Sequence, residues 1–171
     1  MLVAIDAGIE EADALAAGLV DGAKLLMLDA KQDAIAQITE ASSRCKMQSL
    51  HIVTHGSPGC LHFSSGDLTL ANLPEYAEQI ESWFEERPLS RRSREKVKDP
   101  AGFLSLYACN LAKDKAGESF IEHLQHLIGV SIHAANRRVS SSAAGGSWQL
   151  EVAYPFPHQA KFPFTEDLLL G

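Results

Sequence analysis

Short apolar runs alternate with stretches of helical periodicity along this chain. Residues 2–5 form the first strand candidate. Ile9, Ala12, Leu15, Ala16 and Leu19 then recur at the spacing of one helix face, which predicts a helix over 9–19. A second apolar run, 24–28, ends at Asp29, a residue type that caps helices, so Asp29 is the expected cap of a helix over 32–43. The third strand falls at 50–54, after which Gly56, Pro58 and Gly59 are expected to stop regular structure. Residues 61–70 read as a hairpin turning at Ser65 and Gly66, and 73–86 as an amphipathic helix with Tyr76, Ile80, Trp83 and Phe84 inward. The stretch 87–100, rich in Arg, Lys and Ser, reads as an exposed loop. A fourth strand at 102–107, a helix at 116–128 and a fifth strand at 130–134 follow, with a short strand at 148–152 and an irregular tail from about 154.

Strands separated by helices of this length call for parallel pairing, because each crossover needs a dozen or so residues and lays a helix on a sheet face. The expected fold is therefore α/β, a three-layer α/β/α sandwich with a mainly parallel central sheet. The length of 171 residues suits one domain spanning 1–171. Ligands of such sheets collect beyond the carboxyl ends of the strands.

Two strands end in reactive side chains. His55 stands just past the third, in LHIVTHGSPG, and Cys109 just past the fourth, in LSLYACNLA. If these strands are neighbours, their ends lie about 5 Å apart, and an imidazole and a thiol face one substrate position. That pairing suits nucleophilic catalysis. A cysteine attacks a carbonyl as thiolate, a histidine manages its proton and that of the leaving amine, and backbone N–H groups hold the oxyanion. The N–H groups of Gly56 and Cys109 are the candidates for that hole, since Gly56, lacking Cβ, admits a close approach. The same residues have a plain reading too: His-Gly ends many strands, and a small cysteine at an apolar strand terminus often fills core space.

Charge and composition narrow the field. A net charge of −7 argues against coating nucleic acid, whose affinity comes from Lys and Arg, and 46% hydrophobic with 22% charged residues is ordinary for a globular domain. No apolar run reaches the 18 or so residues of a membrane span, so no membrane insertion is expected. The acidic start, MLVAIDAGIEEADAL, does not read as a signal peptide. The chain as it stands reads as cytoplasmic, and as secreted or surface-borne if it is a domain of a longer protein. Three cysteines, Cys45, Cys60 and Cys109, form neither a disulfide framework nor a zinc motif. No metal and no cofactor is expected, since the glycines match neither GxGxxG nor a Walker pattern. His51 and His55 stand about 13 Å apart along a strand, too far to share an ion. His123 and His126 read as an exposed helix pair, Cys60 as packing at the start of the hairpin, and the basic run SRRSREKVK as solvated surface, a processing site or a docking patch.

The segments HIVTHGSPG and LYACNLAKDKAGESF, with GGSWQLE near the end, resemble an uncharacterised bacterial domain family that often stands at the N-terminus of large repeat-bearing surface proteins. That family looks related to the caspase, gingipain and clostripain superfamily of cysteine peptidases, whose shared pattern is His-Gly after one strand and Cys after the next. The resemblance runs from VAIDAGI to WQLE. It implies a caspase-like fold, with His55 and Cys109 as a catalytic dyad, Gly56 as the oxyanion glycine, and peptide-bond cleavage through a thioester, self-processing included. The expected partner is a protein or peptide substrate; the oligomeric state is not read. A departure is the stretch AANRRVSSSAAGG, where members of the family tend to carry an Ala-Ser-Thr-Gly-like segment, which leaves the pocket wall there open. Asp6 would select a basic side chain or cap a helix, Arg137 and Arg138 would select an acidic one or be solvated, and Trp148 is a pocket wall or a core anchor. The alternative function is a catalytically inactive interaction module on the same fold.

Overall fold

The computed structural model describes residues 1–45, 47–84, 102–141, 144–155 and 161–170. In chain order its strands are β1 (Leu2–Asp6), β2 (Lys24–Leu28), β3 (Ser49–Val53), β4 (His55–Ser57), β5 (Cys60–Phe63), β6 (Gly66–Thr69), β7 (Phe103–Tyr107), β8 (Ser131–Ala134) and β9 (Val152–Tyr154). The helices are α1 (Ala12–Ala17), α2 (Ala34–Ser43), α3 (Ala77–Glu81), α4 (Asp114–Ile128) and α5 (Asp167–Leu170).

Six strands make the central sheet in the order β2-β1-β3-β7-β8-β9; all pairings are parallel except the last. Successive side chains on each strand point to opposite faces, so each strand feeds two cores. Leu2, Ala4, Leu50, Ile52, Leu104, Leu106, Ile132 and Ala134 pack with Ile35 and Ile38 of α2, Ile80 of α3, and Phe120, Ile121 and Leu124 of α4. Val3, Ile5, Val53 and Tyr107 pack on the opposite face with Leu15 of α1, Trp148 and Phe164. This is the expected α/β fold of a single domain, with helices on both sides of a mostly parallel sheet.

Several elements differ from the sequence expectation. Residues 9–19 are helical only in α1; Ile9 is used in a turn, its N–H donating to the Asp6 carbonyl at 3.1 Å, and Gly18 caps the end. The cap of α2 is Asp33, whose carboxylate accepts from the Ala36 N–H at 2.8 Å; Asp29 instead accepts from the Lys31 N–H. The glycines and proline after β3 do not end regular structure. Pro58 and Gly59 form the two-residue loop of a hairpin, and β4, β5 and β6 make a second, antiparallel sheet that includes His55. Residues 73–81 form a 3-10 turn, Leu73–Tyr76, running into the short α3. Pro74 sits in the first turn, where its missing N–H is harmless. Ile80, Trp83 and Phe84 are buried as expected, and Tyr76 is half-buried. The final sheet strand is β9, not 148–152, with Val152 opposite Ala134, and the tail is ordered at the Leu19–Phe164 bridge and in α5. The expected loop at 87–100 lies outside the described residues.

Candidate functional site

The strand parity of β3 and β7 places the two nominated residues. These strands are parallel neighbours with Val53 opposite Tyr107. Both side chains belong to the face covered by α1 and Trp148. Two residues further along, on the same parity, come His55 and Cys109. The Thr54 N–H still bonds the Tyr107 carbonyl at 3.2 Å, so the strands leave the sheet together. His55 and Cys109 line one cavity of about 140 Å³ with Ile9, Leu15, Tyr107 and Trp148 among its walls.

Each side chain is held by backbone. The Nε2 of His55 lies 3.0 Å from the Gly8 carbonyl oxygen. A carbonyl only accepts, so Nε2 carries the proton and Nδ1 keeps its lone pair in the neutral ring. The Sγ of Cys109 accepts from the Val139 N–H at 3.3 Å. The turn after Cys109 is anchored to the end of β8: Asn110, at φ 55°, donates its N–H to the Arg137 carbonyl, and Ala112 donates to that of Ala135, both at 2.9 Å.

Gly56 lies against this turn. A Cβ on it would stand 2.7 Å from the Cβ of Ala108 and 3.0 Å from the Cys109 carbonyl oxygen. The hairpin carrying His55 thus packs on the segment carrying Cys109 at a separation only glycine permits. A Cβ on Gly59, at φ 72°, would likewise stand 2.7 Å from the Ala116 carbonyl oxygen, and the Gly59 N–H bonds the Leu111 carbonyl at 2.9 Å.

Of the residues nominated for substrate contact, only Trp148 lines this cavity. It is also a core residue, packed against Tyr107, Phe162 and Phe164. Asp6 is 2% exposed, and its carboxylate is filled by donors: the Gly8 N–H at 2.9 Å, the Ser64 N–H at 3.0 Å and the Ser64 hydroxyl at 2.6 Å. It caps no helix, since α1 begins at Ala12. Through Gly8 and Ser64 it ties the tip of the β5–β6 hairpin to the peptide that holds His55. Arg137 and Arg138 are exposed; Arg137 pairs with Glu151.

A second group escaped the sequence reading. Cys60 and His62 of β5 and Asp67 of β6 share a face of the small sheet, with His62 directly opposite Asp67. The His62 Nδ1 lies 2.8 Å from an Asp67 carboxylate oxygen and 3.5 Å from the Cys60 Sγ. The signal was present as Cys-x-His followed across the Ser64–Ser65 turn by Asp, but it becomes a cluster only once the register sets Phe63 opposite Gly66. Burial and the negative charge of Asp67 push the Cys60 thiol pKa upward. A larger cavity of about 710 Å³ lies on the far side of the Cys109 turn, walled by Lys113, Asp114, Glu118, Asn136 and Tyr154.

Among the described residues, no helix is long and apolar enough to cross a membrane. No curated protein matches the sequence. A family model described as "Domain of unknown function (DUF4347)" matches residues 2–169, nearly the whole chain, and the protein belongs to that family.

Proposed function

We propose that this domain is a cysteine endopeptidase of caspase-like type, with Cys109 as nucleophile and His55 as general acid and base. The reading is carried by one observation: His55 and Cys109 leave two adjacent parallel strands at matching register positions and wall the same cavity. In the proposed reaction the Cys109 proton passes to the His55 Nδ1 as Sγ bonds to the substrate carbonyl carbon. The N–H groups of Gly56 and Cys109 receive the oxyanion. Collapse breaks the C–N bond, and His55 returns the proton to the departing amine. Water then hydrolyses the thioester, its proton passing through His55 to the regenerated thiol. The Gly8 carbonyl orients the imidazole in the tautomer this requires. The Nε1–H of Trp148 is buried without a hydrogen-bond partner among the described residues, which leaves it available as a donor to a bound peptide.

A thiol-directed electrophile with a peptide leader tests this. Cys109 is expected to react ahead of Cys45 and Cys60, and His55→Ala to slow that labelling by about 100-fold or more. Equal labelling of the three cysteines, or indifference to His55→Ala, would remove the peptidase reading and leave an inactive interaction module.

A further inference from the structure

We infer that Cys60, His62 and Asp67 form a binding site for a divalent zinc ion on the small antiparallel sheet, next to the His55–Cys109 cavity, whose His55 is the cross-strand partner of His62, but built from residues that do not line it. Three groups of ligand type converge here, their donor atoms all within 4.8 Å of one another. They come from one face of a hairpin: Cys60 and His62 alternate along β5, and Asp67 is the cross-strand partner of His62. In a tetrahedral zinc centre, with bonds of about 2.0–2.1 Å to nitrogen and oxygen and about 2.3 Å to sulfur, neighbouring ligand atoms stand roughly 3.3–3.6 Å apart. The sulfur–nitrogen separation of 3.5 Å already fits, and the nitrogen–oxygen separation of 2.8 Å needs only a small opening. Asp67, whose side chain is 55% exposed, is free to make it.

The Nδ1 of His62 faces both the Asp67 carboxylate and the Cys60 thiol. Without metal, hydrogen bonds hold the group together, Nδ1–H donating to Asp67 and the thiol to Asp67 or to the Leu61 carbonyl. Once those two protons leave, the lone pairs of sulfur, nitrogen and oxygen converge on one point, and a cation there takes the place of the protons. The surroundings match what metal-bound histidines require. The second ring nitrogen, Nε2, lies 2.8 Å from the Ser57 hydroxyl, which fixes the ring plane. The carbonyl of His62 accepts from the Thr54 hydroxyl at 2.6 Å, and that of Asp67 accepts from the Asn72 side-chain amide at 2.8 Å. One thiolate, one imidazole and one carboxylate form a borderline-soft donor set, which suits zinc over calcium or magnesium. The exposed side of the triangle leaves a fourth position for water or an incoming ligand.

The test uses the full chain carrying Cys109→Ser, reduced and stripped of metal, so that the nucleophile cannot contribute a ligand. Zinc is titrated calorimetrically, and cobalt is used to read thiolate ligation by its sulfur-to-metal charge-transfer absorption. One equivalent is expected to bind with the cobalt–thiolate band, and Cys45→Ser to leave both unchanged. Cys60→Ser is expected to abolish the band, and Cys60→Ser and Asp67→Asn each to weaken zinc binding at least 10-fold. Both changes are close to isosteric at partly exposed positions, and circular dichroism checks that the variants are folded. Absence of stoichiometric binding, or binding that survives both Cys60→Ser and Asp67→Asn, overturns the site.

Discussion

At the scale of single residues, the arrangement around His55 rests on contacts that tolerate little change. Gly56 touches the Ala108–Cys109 backbone so closely that a methyl group has nowhere to go: the nearest atoms at 2.7 and 3.0 Å include a carbonyl that is part of the turn. Gly56→Ala should therefore push the hairpin off β7, lowering stability by about 1–3 kcal/mol. If the dyad is active it should also slow Cys109 labelling by more than the stability loss explains, which is checked by labelling far below the melting temperature. Asp6 acts from further away. Its buried carboxylate collects three donors and thereby fixes Gly8, whose carbonyl holds His55. Asp6→Asn puts an N–H₂ group among those donors, and urea unfolding is expected to show a loss of about 1–3 kcal/mol. Ser64→Ala removes only one of the three bonds and should cost less, about 1 kcal/mol.

At the scale of elements, what could be read from the chain and what could not divide along physical lines. The five parallel strands and α4 declare themselves: β1, β3, β7 and β8 are buried on both faces and mostly apolar, β2 is a short apolar run at the partly exposed edge, and Gly129, at φ 72°, marks where α4 stops. That His55 and Cys109 follow two strands was equally readable, but their shared parity was not: it needs β3 to end at Val53, opposite Tyr107, and not at Thr54. The small sheet was half hidden. Its strands are short, polar and partly exposed, and a Pro-Gly pair reads as an interruption until its partner strand is known. Its bonds to Asp6 span 58 residues in sequence, beyond any local signal. The cap of α2 was misplaced for a similar reason, as Asp29 and Asp33 are equivalent by type. Only the fold shows that Asp33 meets the Ala36 N–H while its other oxygen accepts from the Tyr76 hydroxyl at 3.0 Å. The helix cap and the tie to Tyr76, 43 residues away, rank the two, since the side chain of Asp29 bonds Lys31 and Gln32 in its own turn: Asp33→Ala should lower the denaturation midpoint by the equivalent of about 1–2 kcal/mol, and Asp29→Ala by clearly less.

At the scale of the whole molecule, the two faces of the central sheet are unequal. The face under α2, α3 and α4 is almost wholly aliphatic and aromatic, whereas the face that leads to the candidate site carries a polar row through its middle, His51, Ser105 and His133, side by side on β3, β7 and β8. His51 is fully buried, stacked on Tyr107 with Phe103 against its edge, and neither of its ring nitrogens has a hydrogen-bond partner among the described residues. Burial, with smaller repulsion from the amino-terminal ammonium and from His133, pulls its pKa down from 6.5 to about 3. In the unfolded chain the same imidazole takes up its proton near pH 6.5, so between these values the unfolded state holds a proton that the native state lacks. Stability is then complete above pH 6.5 and falls as the pH drops toward 3. At about 1.4 kcal/mol per pH unit, His51 alone removes on the order of 3 kcal/mol between pH 7 and pH 4. His51→Leu deletes this proton sink and replaces an unpaired polar ring with an apolar side chain. Its urea-unfolding free energy should match or exceed the parent's at pH 7, and the gap should widen in its favour by about 3 kcal/mol at pH 4. Parallel curves for the two proteins across that range would mean that another group governs the acid transition. A widening gap would mean that the sheet supporting His55 and Cys109 carries an acid-sensitive layer directly beneath them.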